Sequence, residues 1–254
     1  GPGLGTIQPS QGDYFQATKG GGHGDYRLIV LAPSSVQEMS DFVFEAFDLA
    51  DKYRNPVMVL ADGALGQMME KVEFHPYDPK LHAVPKPWAT TGKPPTRERN
   101  IITSLEMDPE KMELINRHLQ SKYQTIAENE TRWAEVETED AEVVLVAYGL
   151  VARIAQGAVE MARAKGHRVG LFRPKTLWPF PSAQLRRLAG RVQGMLVVEM
   201  NAGQMVEDVR LAVNGRLPVG FYGRMGGVIP TPDEVLRALE QFTRTEVPNH
   251  EEVS

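Results

Sequence analysis

Two short stretches hold the side chains best suited to chemistry. Ser10-Gln11-Gly12-Asp13-Tyr14 packs several hydrogen-bonding groups into five residues. A polar substrate pocket needs that composition, although helix capping by Ser10 or Asp13 accounts for it equally well. Glu199-Met-Asn-Ala-Gly-Gln204 follows the apolar run Met195-Leu-Val-Val. It therefore sits at the carboxyl end of a parallel strand, where open α/β sheets place ligands or contacts. An Asn201 helix cap with a close-packing glycine is the alternative reading there. His23-Gly-Asp25 has the types of a metal ligand or a general-base pair, and a solvated turn explains it too. Leu177-Trp-Pro-Phe-Pro181 reads as a rigid structural loop.

Several chemistries are missing from the sequence. No GxxxxGK[ST] phosphate loop is present, and Lys19-Gly-Gly-Gly22 neither has that spacing nor follows a strand. There is no HExxH or GxSxG, and none of the 6 histidines pairs with another at ligand spacing. Tyr148-Gly149 leads into a helix with a single glycine, short of the nicotinamide fingerprint. A net charge of −5 disfavours nucleic acid as a partner. The absence of cysteine removes disulfides, thiolate zinc sites and any cysteine-ligated iron–sulfur cluster in this chain. No run approaches the ~18–20 apolar residues of a membrane span, and no secretory signal is legible. A cytoplasmic location is expected.

The elements that must position these residues follow from periodicity. The polar stretch 1–35 feeds a short strand at Arg27–Ala32, and Ser35-Val-Gln-Glu38 forms a capping box. Apolar positions at helical spacing then predict a helix over 35–53. Asn55-Pro56 ends it, and Val57–Ala61 reads as a strand covered on both faces. Six prolines between Pro76 and Pro95 predict an irregular connector from Lys71 to about Asp108. Residues 108–137 are expected to be mostly helical, opened by Asp108-Pro109. From Ala141 onward strands alternate with helices, and Thr231-Pro-Asp-Glu234 opens the last helix with a second capping box. The fold class is α/β with mainly parallel sheets.

Together these stretches resemble one family, the 2-oxoacid:ferredoxin oxidoreductases, in the subunit that carries the pyrimidine-side domain for thiamine diphosphate. The matching stretches are GPGLGTIQPSQGDYFQATKGGGHGDYRLIVLAPSSVQEM, NPVMVLADGALGQMME, LWPFP and EMNAGQM. The form QGDYFQATKGGGHGDY looks most like the branched-chain type, acting on 3-methyl-2-oxobutanoate (2-ketoisovalerate). The resemblance implies the C-terminal part of a pyrimidine-type thiamine diphosphate domain over 1–70 and a Pro-rich linker and helix over 71–140. It implies a transketolase C-terminal-like, doubly wound domain over 141–254.

In such a family a thiamine ylid attacks the oxoacid, carbon dioxide leaves, and electrons pass singly to iron–sulfur clusters while coenzyme A takes the acyl group. The resemblance implies thiamine diphosphate with magnesium shared with a partner subunit, and clusters and coenzyme A held in the assembled complex. Implied partners are a thiamine-diphosphate/iron–sulfur subunit, gamma-type and ferredoxin-type subunits, ferredoxin and the oxoacid. It places Thr6, Gln8, Ser10, Gln11 and Asp13 near substrate and thiamine, with His23 and Asp25 as weaker candidates. Glu199, Asn201 and Gln204 are expected to support subunit contacts or the strand-end turn.

The sequence departs from the family pattern at its start. The activating glutamate, and an arginine before the GGPG-type turn, would lie upstream of Gly1. The chain opens without methionine, so it is read as a piece of a longer protein that is inactive alone. A non-catalytic assembly module that docks a thiamine-binding partner is the competing reading.

Overall fold

The computed structural model describes residues 8–76 and 83–247. Two sheets organise it. The larger has strand order β3-β5-β4-β7-β8, built from β3 (Trp133–Val136), β4 (Val143–Val146), β5 (Val169–Pro174), β7 (Gly194–Glu199) and β8 (Val219–Gly223). Only β3 runs antiparallel to its neighbour. The smaller sheet has order β2-β1-β6, from β1 (Ile29–Leu31), β2 (Val57–Val59) and β6 (Thr176–Trp178). Here β1 and β2 are parallel and β6 is antiparallel to β1.

The period of two along buried strands sorts side chains to opposite faces of the larger sheet. Val144, Val146, Met195 and Val197 pack beneath α5 (Ser182–Leu188) and α6 (Met205–Val213). Val143, Leu145, Leu196 and Val198 face α4 (Gly149–Ala164) and α7 (Pro232–Glu246). The first of these cores also takes in Tyr14, Ala17, Val30 and Ala32, so the two sheets share one apolar interior. A third cluster joins Ile29 and Leu31 to Phe42 and Leu49 of α2 (Val36–Tyr53) and to Tyr123 and Ile126 of α3 (Pro109–Asn129).

Helix α2 begins where its capping box predicts, with Ser35 Oγ accepting from the Glu38 N–H. Both halves of the Thr231/Glu234 box are made at α7. Residues 108–137 are mostly helical, as expected, but α3 ends at Asn129 and Trp133–Val136 forms the outer strand β3. Pairing with β5 outweighs the local helical pattern there, because an unpaired edge of β5 would leave backbone groups without partners. Leu177-Trp178 is not loop but part of β6, held against β1; the Trp178–Pro179 peptide is cis. Strand β2 is half-buried rather than covered on both faces, since it lies at the outside of its sheet. Strand β3 thus lies within 71–140 yet belongs to the larger sheet, while β6 lies within 141–254 yet completes the smaller one. The polar opening stretch also holds a short helix, α1 (Tyr14–Thr18).

Candidate functional site

Strands β4 and β7 are parallel neighbours. The turns that follow them, at Tyr148-Gly149 and Met200-Asn201, therefore emerge side by side at the carboxyl edge. Gln11 lies across both. Its backbone N–H donates to the Met200 carbonyl at 3.0 Å, and its side-chain Oε1 accepts from the Met200 N–H at 3.0 Å. Its Nε2 donates to the Tyr148 carbonyl at 3.0 Å. The Gln11 carbonyl accepts from Asn201 Nδ2 at 2.9 Å and from the Tyr148 hydroxyl at 3.4 Å. Gln11 is only 5% exposed, so both ends of its amide are committed inside the protein.

Glu199 is fully buried at the end of β7. Its carboxylate accepts from the backbone N–H groups of Met205 (2.9 Å), Val206 (3.0 Å) and Gln204 (3.3 Å), and from Asn201 Nδ2 (2.9 Å). Those N–H groups are the unpaired donors at the start of α6, where the helix dipole favours an anion. Burial raises the Glu199 pKa, against the pull of these hydrogen bonds. The cap of α6 is thus Glu199 and not Asn201, whose Oδ1 instead accepts from the Gly203 N–H at 2.8 Å.

Gln204 reaches back to the opening stretch. Its Nε2 donates to the Gly12 carbonyl and its Oε1 accepts from the Phe15 N–H, both at 2.8 Å. Tyr14 donates its hydroxyl to Asp208 Oδ2 at 2.5 Å, and Lys19 pairs with the same carboxylate. Burial, then the adjacent Asp208 charge, pushes the Tyr14 pKa well above the ordinary phenol value. Tyr148 is raised by burial and then by the charges of Glu199, Asp62 and Asp13. Both phenols are therefore protonated donors at neutral pH.

Above this clasp lies a cleft lined by Ser10, Gln11, Asp13, Leu60, Ala61, Asp62, Tyr148 and Gly149. Its free space is about 20 Å³, room for about one water molecule. Gly149 opens α4 with φ +59, and a side chain there would lie 3.2 Å from Gln11 Nε2. Asp62 Oδ1 accepts from the N–H groups of Ala64 and Leu65 at 2.9 and 3.0 Å. A larger groove, about 320 Å³, lies at the opposite end of the sheet around Glu142, His167 and Arg244. Ligands of open parallel sheets sit at carboxyl ends, so the smaller cleft is the candidate site.

The structure brings together Gln11, Glu199, Asn201 and Gln204, from two stretches about 190 residues apart. Ser10 borders the cleft, and its Oγ accepts from the Gly12 N–H at 3.0 Å. Asp13 occupies the N-cap position of α1 without a side-chain capping bond, and it is exposed. Gln8 is exposed and packed by Gly227, whose φ of +94 and missing side chain allow the approach. His23 and Asp25 lie on an exposed bend outside the cleft lining. Thr6 lies outside the described residues. Sequence reasoning missed Tyr148, Asp62, Asp208 and Gly227 as parts of the site. Asp62-Gly63 and Gly226-Gly227 were visible as turn signals, but nothing local said what they face.

A thiamine diphosphate does not fit inside a cleft of this size. Among the described residues no group of three or more His, Cys, Asp or Glu is placed to hold a metal ion. The residues present form one polar wall. Among them, no helix is long and apolar enough to cross a membrane.

Residues 1–143 match the family model "Pyruvate flavodoxin/ferredoxin oxidoreductase, thiamine diP-bdg", and residues 141–235 match "Pyruvate:ferredoxin oxidoreductase core domain II". The chain is 51% identical to the ketoisovalerate oxidoreductase subunit VorB of Methanothermobacter thermautotrophicus, over 95% of this chain and 68% of that protein. It is 36% identical to the 2-oxoglutarate synthase subunit KorA of Methanocaldococcus jannaschii, over 93% of this chain and 70% of that one. Among solved structures, the 2-oxoglutarate:ferredoxin oxidoreductase of Magnetococcus marinus, with 2-oxoglutarate, coenzyme A and succinyl-CoA bound, superposes with a TM-score of 0.76. That match, at 24% identity, covers 95% of this chain and 46% of that one and speaks to the fold alone. A split-gene transketolase in an inactive beta4 tetramer matches with a TM-score of 0.52 at 15% identity, over 86% of this chain and 58% of that one. With the first family model covering more than half of the chain and relatives at this level of identity, the chain belongs to the pyruvate:ferredoxin (flavodoxin) oxidoreductase family, as one subunit of such an enzyme.

Proposed function

We propose that the chain takes part in the oxidative decarboxylation of a branched-chain 2-oxoacid, 3-methyl-2-oxobutanoate. One oxoacid and one coenzyme A would give the acyl-CoA, carbon dioxide and a proton, with two electrons passed one each to two ferredoxins. The observation that carries the substrate class is the identity of 51% with a ketoisovalerate subunit, against 36% with 2-oxoglutarate subunits. The cofactor would be thiamine diphosphate with magnesium, held between this chain and a partner subunit. Coenzyme A and the iron–sulfur clusters would lie in the assembled complex. The partners would be a thiamine-diphosphate/iron–sulfur subunit and gamma-type and ferredoxin-type subunits, in the cytoplasm.

Within that reading, the exposed Asp13 carboxylate and the Ser10 hydroxyl at the cleft edge are placed to face substrate or cofactor. Gln11, Glu199, Asn201 and Gln204 hold the segment that carries them. One observation favours the assembly-module reading instead: the most buried polar groups of the site are all spent on internal bonds.

The test is anaerobic reduction of a dye by the full-length subunit assembled with its partners, with 3-methyl-2-oxobutanoate or 2-oxoglutarate as substrate. Reduction that requires thiamine diphosphate and coenzyme A, and prefers the branched oxoacid, is expected. Preference for 2-oxoglutarate would overturn the substrate class. Stable assembly with no oxoacid-dependent reduction would leave the assembly module.

A further inference from the structure

Helices α5 and α6 form a layer whose outer surface is unusually basic for this chain. From Ser182 to Tyr222 it holds Arg186, Arg187, Arg191, Arg210 and Arg216, all exposed and with no lysine among them. The acids in the same span are Glu199, Glu207 and Asp208; Glu199 and Asp208 are buried and already bonded, which leaves Glu207 at the surface. The whole chain, by contrast, carries a net charge of −5.

Among the described residues only Arg191 of these pairs with a carboxylate, Glu135 at 3.8 Å, beside a groove that also holds Glu137, Glu139 and Asp140; Arg186, Arg187, Arg210 and Arg216 make no such pair. Arg186 Nε donates to the Ala212 carbonyl at 3.4 Å, and Arg216 donates to the Arg186 carbonyl at 3.5 Å, which places both arginines where α5 meets the end of α6. Arg210 donates to the Val219 carbonyl at 3.4 Å. Arg187 makes no ion pair among the described residues, and it lines a groove with Glu135. Among them stands Leu211, 73% exposed on α6.

We infer that this face docks an acidic surface of a partner subunit of the same oxidoreductase. Arginines around an exposed leucine combine the charge that orients a protein partner with an apolar contact that a phosphate backbone does not use. An electron carrier fits less well. With no cysteine, this chain offers no thiolate-held cluster beneath the patch from which a carrier could take electrons. The inference rests on the oxidoreductase-subunit reading.

The experiment measures association of the full-length subunit with its separately purified partner subunits, as a rate against salt. The test variant is Arg186→Glu/Arg187→Glu/Arg216→Glu, with Gln at the same positions as a milder form. The control is Arg237→Glu/Arg244→Glu on α7, across the sheet. Loss of steering at the patch should slow association about ten-fold or more at low salt and flatten its salt dependence. The Gln form should be intermediate and the α7 control unchanged. Thermal midpoints close to wild type would confirm folding, as the replaced groups bond only backbone carbonyls. Unchanged rates with the same salt slope would overturn the inference. So would normal assembly with slowed reduction of an acidic ferredoxin, which would give the patch to the carrier. Oxoacid-dependent dye reduction by the wild-type complex tests the underlying reading separately.

Discussion

Replacing Gln11 by leucine keeps the bulk of the side chain and removes both ends of its amide. The Met200 N–H then loses its acceptor in a site that is 5% exposed. A buried donor left unpaired costs about 1–3 kcal/mol. The Tyr148 carbonyl loses a donor but keeps the Ala152 N–H at 3.3 Å, so the second loss is nearer to an ordinary hydrogen bond, about 0.5–1.5 kcal/mol. The sum is about 3 kcal/mol, which at 2–4 °C per kcal/mol lowers the thermal midpoint by roughly 6–12 °C. Calorimetry or a circular-dichroism melt reads this directly, alongside KM for the oxoacid in the assembled enzyme. A clasp predicts the large thermal loss. A midpoint within about 2 °C of wild type together with a raised KM would refute the reasoning and return Gln11 to the role of substrate ligand.

Other consequences follow from the same geometry. Burial alone would raise the Glu38 pKa, but hydrogen bonds from Arg173 and the Ser34 N–H, with the Arg173 and Lys175 charges, bring it from 4.5 to about 2. Because the folded value lies below the unfolded one, the stabilisation is complete above about pH 4.5. It is lost as the pH falls toward 2, and amounts to roughly 3 kcal/mol for a side chain only one-fifth exposed. Glu38→Gln should therefore be less stable at neutral pH, and the gap should close on acid titration of the melting curve; a gap constant with pH would contradict the assignment. Tyr14→Phe removes a bond to a charged acceptor and should cost about 1.5–3 kcal/mol in urea unfolding, with an effect under ~0.5 kcal/mol counting against the α1–α6 link. Gly227→Ala forces a left-handed φ on a residue with a side chain and drives its Cβ into Gln8. Destabilisation of about 1–3 kcal/mol is expected, and an unchanged melt would show that the loop has room to move.

How legible the protein was depended on how far each interaction reaches along the chain. The capping signals Ser35/Glu38 and Thr231/Glu234 were readable because the partners lie three residues apart; α7 makes both halves of its box, while at α2 Ser35 accepts from Glu38 and the Glu38 carboxylate turns to Ser34 instead. Runs such as Val143–Val146 announced buried parallel strands because a strand covered on both faces has no room for polar side chains. Where an outcome depended on a distant partner, local pattern gave the wrong answer. Trp133–Val136 became a strand because β5 needed a neighbour, and Thr176–Trp178 because β1 did.

The same division holds at the site. The sequence by itself determined which polar groups were on offer, at Ser10–Asp13 and Glu199–Gln204, and the α/β order that delivers the second set to a strand end. Only the tertiary structure decided which of them are spent and which remain open. The sequence offered Asn201 as the cap of α6, and the structure gives that role to Glu199, six residues before Met205. That Gln11 closes onto Met200, Tyr148 and Asn201 required β4 and β7 to lie side by side, a pairing of segments about 50 residues apart. Hydrogen bonds are short-ranged and chain separation is no guide to them, so this part of the site exists only once the sheet has formed.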